Sequence, residues 1–175
     1  SLFEADAQGR WRLLVSLANP QCVAIFGGGH CGAALARQMA WLGYATIVVE
    51  PRAGLFTLAT LAETNARILP LPYAEGARRI DRPDRSRAVI MTHSLATDVE
   101  ALAAVLKYPF RFVGLMGSDP KISRIREQLQ ALGFGEADLA RIQAPVGLPF
   151  DSDTPEEIAV SVAAQILLER RTGGR

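Results

Sequence analysis

The stretch from Val23 to Leu42 limits what this chain can fold into more than any other. An apolar run, Val23–Phe26, meets Gly27, Gly28 and Gly29, passes Gly32, and continues into the helix-like Ala33–Leu42. The spacing Gly27-x-Gly29-x-x-Gly32 between a strand and a helix is the dinucleotide-binding fingerprint. Gly27 allows the tight turn, Gly29 lets backbone N–H groups approach a pyrophosphate, and Gly32 lets the helix close on its strand. The first helical turn then offers unpaired N–H groups and a partial positive charge to a phosphate. The pattern specifies a fold rather than a function, because one such fold hosts many activities. Cys31 has two readings: a thiol whose pKa the helix N-terminus lowers, or a small residue packing on the first strand.

At 175 residues the chain has the size of one domain with a short extension. Its 49% hydrophobic and 21% charged residues can build an ordinary core. A net charge of +1 predicts neither general nucleic-acid affinity nor a membrane-surface habit. No apolar run approaches the roughly 20 residues that cross a bilayer. Ser1–Gly9 carries no signal-peptide pattern, so a cytoplasmic location is expected. Cys22 and Cys31 form no C-x-x-C pair, and cytosolic thiols stay reduced. A start at Ser1 rather than Met suggests a processed or excised segment. Residues 1–20 read as a lead-in or the remnant of a preceding N-terminal domain, with a short strand in Arg12–Leu17 and a break at Asn19-Pro20. Residues 21–175 read as the main domain.

Beyond Gly43, which stands where a helix-ending glycine belongs, Tyr44–Val49 is β-branched and short, a buried strand. It ends in Glu50 and Arg52. An acid about 20 positions past the glycines either holds a ribose hydroxyl or sits solvated at a strand end. A loop and short helix over Leu55–Asn65 precede a third strand, Arg67–Leu71, whose Pro70 suits a sheet edge. In Ala77–Arg87 five arginines alternate with two acids, which predicts a solvated surface. Ala88–Met91 is a further buried strand. It delivers Thr92 and His93 at its carboxyl end, where open parallel sheets bind ligands. Thr97 is expected to cap a helix over Asp98–Lys107.

A fifth strand, Phe110–Val113, leads into Gly114, Gly117, Ser118 and Lys121. Ser118 is a plausible cap, and Lys121 and Arg124 sit where the helix dipole disfavours cations. A bound anion would remove that conflict, so this turn is a second candidate phosphate or carboxylate site; the alternative is a reversal with its basic residues in water. That helix runs to Leu132. A short helix falls within Phe134–Ile142, and the chain returns through Gln143–Leu148. Thr154, Pro155 and Glu157 form a capping box for a final helix, Glu156–Arg171, whose apolar face holds Ile158, Val162, Ile166 and Leu167. The predicted architecture is a Rossmann-like, doubly wound α/β fold with strand order near 3-2-1-4-5 and helices on both faces. No zinc-ligand spacing, nucleophile elbow or Walker lysine is present.

Six local sequences go further: Ile25–His30, Val48–Arg52, Met91–His93, Val113–Ser118 with Lys121, Ala144–Leu148, and Thr154–Ser161. Together and in this order they resemble the C-terminal Rossmann domain of the XdhC/CoxI family, accessory proteins of xanthine dehydrogenase and related molybdenum hydroxylases. The resemblance covers nearly everything from Cys22 to Arg171. It implies a carrier that binds the molybdenum cofactor (molybdopterin), protects it while a ligand is exchanged for sulfur, and passes it to the apo-hydroxylase. It implies a chaperone rather than a redox enzyme, with NAD(P) binding by an oxidoreductase or nucleotide sensor as the alternative. The apo-hydroxylase, a cysteine desulfurase and a second copy of the chain are the partners it suggests. The cofactor-binding residues implied are Gly27, Gly28, Gly29, His30, Gly32, Glu50, Arg52, Thr92, His93, Gly117, Ser118 and Lys121. Glu50 stands where the family commonly has Asp, and Phe150–Asp153 is more acidic than the expected small-residue turn.

Overall fold

A computed structural model of the protein describes residues 2–5, 11–14 and 21–172. Strands β1 (Leu2–Ala5) and β2 (Trp11–Leu14) pair antiparallel as a separate two-stranded sheet. The strand expected in Arg12–Leu17 is therefore β2, and β1 is an element the sequence did not announce. The expected break at Asn19-Pro20 lies outside the described residues.

The main domain alternates strand and helix: β3 (Cys22–Phe26), α1 (His30–Trp41), β4 (Ala45–Val49), α2 (Phe56–Ala59), β5 (Arg67–Leu69), α3 (Tyr73–Arg78), β6 (Ser86–Ile90) and α4 (Leu95–Val105). It continues with β7 (Phe112–Leu115), α5 (Asp119–Ala131), α6 (Glu136–Leu139), β8 (Ile142–Gln143) and α7 (Pro155–Thr172). The strands form one parallel sheet of six, ordered β5-β4-β3-β6-β7-β8. In Rossmann numbering this is 3-2-1-4-5-6, the expected order with one more strand. The sixth strand escaped the sequence because Ile142–Gln143 is too short to show a period. Strand β5 stops before Pro70 and lies at the edge, where a missing N–H is harmless.

Both faces of the sheet are covered, which is why β3 and β6 are apolar without alternation. Ala24, Phe26, Ala88 and Ile90 meet α3, α4 and α5 on one face. Val23, Ile25, Val89 and Met91 meet α1 and α7 on the other. The final helix buries Ala159, Val162, Ala163 and Ile166 in the layer it shares with α1. Its capping box is present: the Glu157 N–H donates to Thr154 Oγ1 at 3.2 Å, and the Thr154 N–H donates to Glu157 Oε2 at 2.9 Å.

Three local expectations need correction. The Ala77–Arg87 stretch is not wholly solvated, because β6 begins at Ser86 and Arg87 is only 1% exposed. Its Nε donates to Glu169 Oε2 at 2.8 Å, a partner too far along the chain for local charge counting to find. Helix α4 is capped by Ser94, not Thr97. The Thr97 N–H donates to Ser94 Oγ and the Ser94 N–H to Thr97 Oγ1, both at 3.2 Å, so Thr97 completes a capping box from inside the helix. The fifth strand starts at Phe112 rather than Phe110, whose ring is buried just ahead of it.

Candidate functional site

Strand order places a topological switch point at β3: β4 and β5 extend the sheet one way, and β6, β7 and β8 the other. Ligands of open parallel sheets bind outside the carboxyl ends of the strands at such a point. The turns after β3, β4, β6 and β7 all emerge there.

The glycine turn is tightly built. Gly27 has φ +118°, and a Cβ on it would lie 2.4 Å from the Met91 carbonyl oxygen. A Cβ on Gly28 would meet Leu58 Cδ2 at 2.7 Å, and one on Gly32 would meet the Gly27 carbonyl oxygen at 1.9 Å. Gly29 differs, with nothing within 4 Å of its Cβ position. So Gly27, Gly28 and Gly32 serve packing, whereas Gly29 opens onto free space. The first bond closing α1 runs from the Ala33 N–H to the Gly29 carbonyl at 2.8 Å. The N–H groups of His30, Cys31 and Gly32 precede that bond and belong to the unpaired first turn.

Glu50 lies beneath this turn with 0% exposure. Its Oε2 accepts the Gly28 N–H at 2.8 Å and Arg52 Nη2 at 2.9 Å; its Oε1 accepts the Arg52 N–H and Nε, both at 2.9 Å. Four donors fill the roughly four acceptor positions of a carboxylate. Burial alone would raise its pKa, but the Arg52 side chain and then the N–H groups of Gly28 and Arg52 hold it below the ordinary carboxylate value. Glu50 is thus neither a solvated acid nor a free acceptor for a ribose hydroxyl. Buried Tyr73 packs against Phe26 nearby. Burial, and next the Glu50 charge, push its phenol up to about 12, so it stays protonated.

Thr92 and Lys121 are joined through Asp98, which is fully buried. Asp98 Oδ1 accepts the Thr92 N–H at 3.1 Å and the Thr92 hydroxyl at 2.6 Å. The Lys121 ammonium lies 2.5 Å from Asp98 Oδ2 as an ion pair. Lys121 therefore has its counter-ion within the chain, and no bound anion is needed to explain a cation in the first turn of α5. Gly117 makes room for it, since a Cβ there would stand 3.2 Å from Lys121 Cδ.

A Cβ on Gly27 would also touch Thr92 Cα at 3.0 Å, so the two systems abut. Two polar groups, Arg52–Glu50–Gly28 and Thr92–Asp98–Lys121, are thus packed side by side through the backbone of Gly27. His93 and Ser118 are exposed beside it, and Ser118 caps α5 by position without a side-chain hydrogen bond. His30 is exposed and meets Phe56 edge-on, with ring centroids 5.5 Å apart. Cys31 is half-buried among the α1 packing residues, and burial raises its thiol pKa, outweighing the hydrogen bond from its own backbone N–H that lowers it.

Sequence reasoning missed Phe56, Thr57 and the true role of Asp98. Phe56 is 68% exposed beside His30, and the Thr57 hydroxyl donates to the Gly28 carbonyl at 2.6 Å. No motif marks either residue. Asp98 was legible only as the first residue of an expected helix.

The sequence from residue 23 to 166 matches the model of the XdhC Rossmann domain. The chain belongs to the XdhC Rossmann-domain family. It is 30% identical over 166 residues to the uncharacterized protein YqeB of Escherichia coli (strain K12), covering 93% of this chain and 30% of that protein. It is 27% identical over 147 residues to a protein of Bacillus subtilis (strain 168) described as a probable xanthine dehydrogenase subunit, covering 84% of this chain and 42% of that one. A crystal structure described as a xanthine dehydrogenase from Bacillus halodurans superposes with a TM-score of 0.69 at 26% identity, over 87% of this chain and 43% of that one. The XdhC domain here thus spans less than half the length of each of these relatives. No helix among its described residues is long and apolar enough to cross a membrane.

Proposed function

We propose that this XdhC domain binds the molybdenum cofactor and delivers it to an apo-xanthine dehydrogenase or a related hydroxylase. The observation that carries the proposal is the open face at Gly29, set beside the unpaired first turn of α1 and rimmed by the His30–Phe56 pair. Molybdopterin has a phosphate and a flat heterocycle. The N–H groups of His30–Gly32 suit the phosphate, and the exposed aromatic pair suits the ring. Lys121, 27% exposed beside Gly117, adds a cation at the neighbouring strand end. Glu50, Thr92 and Asp98 act as supports, because their side-chain oxygens are held by the glycine loop, Arg52, one another and Lys121. The bound group would supply molybdenum redox chemistry to the recipient enzyme; this chain holds and orients it.

The dinucleotide alternative is served less well. A ribose hydroxyl would have to displace one of the four donors on Glu50.

Protein expressed in a molybdate-supplied host should retain a pterin, identified by mass and fluorescence after release. Gly29→Val fills space that no protein atom uses, so it should cut retention about tenfold or more with the fold intact by circular dichroism. Lys121→Ala should weaken it by a similar factor. Unchanged retention in both variants would remove the site assignment. Micromolar binding of NAD or NADP by calorimetry, with no pterin retained, would favour the alternative.

A further inference from the structure

Helix α7 is apolar on two faces. Ala159, Val162, Ala163 and Ile166 are at most 3% exposed against α1 and the sheet. Val160, Ala164 and Leu168 follow the i, i+4, i+8 spacing of a second face, turned away from the first. Val160 is 50% exposed, Leu168 51%, and Ala164 is half-buried. Trp41 of α1 adds an indole that is 90% exposed. With Ala159 and Val160 it lines a groove of about 410 Å3 between the two helices. No charged residue occurs between Glu157 and Glu169. A surface helix ordinarily turns charged side chains to water, and one that is apolar all round is covered on both sides. A continuous exposed apolar patch holding a tryptophan marks a contact surface.

The charges at the helix ends point to what covers it. The first turn of α7 carries Glu156 and Glu157, and its sequence closes on Arg170 and Arg171. Counted from Ala164, Val160 and Leu168 stand four residues to either side, and Glu157 and Arg171 seven. Two such helices laid antiparallel about a two-fold axis at Ala164 bring Val160 level with Leu168 and Glu157 level with Arg171. A parallel pair would set like charges together. Antiparallel order also matches the two helix macrodipoles, and the small Ala164 permits a close axial approach. Self-complementarity of this kind is what an isologous contact requires.

We propose that the outer face of α7 is the contact for a second copy of this chain, the two α7 helices packing antiparallel with Ala164 at the two-fold axis. Trp41 of each copy flanks the pair. The contact uses none of the residues assigned to the cofactor.

Sedimentation equilibrium of the full chain should show a monomer–dimer equilibrium with a dissociation constant on the order of 10 µM. Val160→Asp and Trp41→Ala, both exposed changes, should each weaken it about tenfold or more, with circular dichroism unchanged. Ala164→Cys should form a covalent dimer under glutathione disulfide, because its two thiols meet at the axis, whereas the unmodified chain should not. Val160→Cys should not link to itself, since its two copies stand about 12 Å apart along the helices. A chain that stays monomeric well above the expected constant would overturn the proposal. So would a dimer untouched by Val160→Asp, or Val160→Cys linking as readily as Ala164→Cys.

Discussion

Gly32→Ala should lower the thermal midpoint by roughly 4–8 °C, whereas Gly29→Ala should leave it nearly unchanged. The two positions share one motif but have opposite surroundings. A methyl on Gly32 would sit 1.9 Å from the Gly27 carbonyl oxygen, closer than any stable contact, so α1 must move away from β3. Such overpacking costs about 1–3 kcal/mol or more. It exceeds the about 0.5–1 kcal/mol that alanine gains over glycine inside a helix. At Gly29 an added methyl meets nothing within 4 Å, and the change touches only the cap preference. For a chain of this size each kcal/mol moves the midpoint by about 2–4 °C. Differential scanning calorimetry of the two variants decides the matter. Equal midpoints would mean that helix and strand are not packed through Gly32.

Glu50→Gln should cost about 2–4 kcal/mol near neutral pH. The substitution removes the charge facing Arg52 and places an amide donor among groups that are themselves donors. The figure stays below that for a wholly buried pair, because Arg52 is 37% exposed and can turn to water. The pH dependence has a definite sign. The Glu50 pKa is lowered in the folded state, so its contribution is fully present above the ordinary value of 4.5 and fades as pH falls through the folded value. Urea denaturation of wild type and variant should therefore show a gap that is constant near neutrality and narrows in acid. A gap that widened in acid would contradict a carboxylate held by four donors.

Both predictions concern residues whose types were readable and whose partners were not. Gly32 announced close packing through its spacing, and the 1.9 Å approach bears that out. Glu50 announced an acid near the ligand edge. That its four acceptor positions are filled by Gly28 and Arg52 depends on how the β4 turn folds back under the glycine loop. Lys121 shows the same limit more sharply. Its place in the first turn of α5 suggested a missing anion, and the anion proves to be Asp98 on α4. Arg87 read as one member of a surface run and is instead buried against Glu169.

Local order in the chain was enough for the parallel sheet, one of its two edge strands, the glycine turn and the family, because hydrophobic period, glycine spacing and capping residues act between near neighbours. Which side chains at the carboxyl edge have their polar atoms occupied by other protein groups, and which stand exposed, was decided by packing. Helix α2 sets Phe56 and Thr57 against the loop, α4 sets Asp98 against Lys121 of α5, and α7 brings Glu169 to Arg87 at the far end of the sheet. Each of these is a meeting of residues distant in sequence, and the free energy of a buried charge or a close backbone approach depends on what surrounds it rather than on its neighbours along the chain.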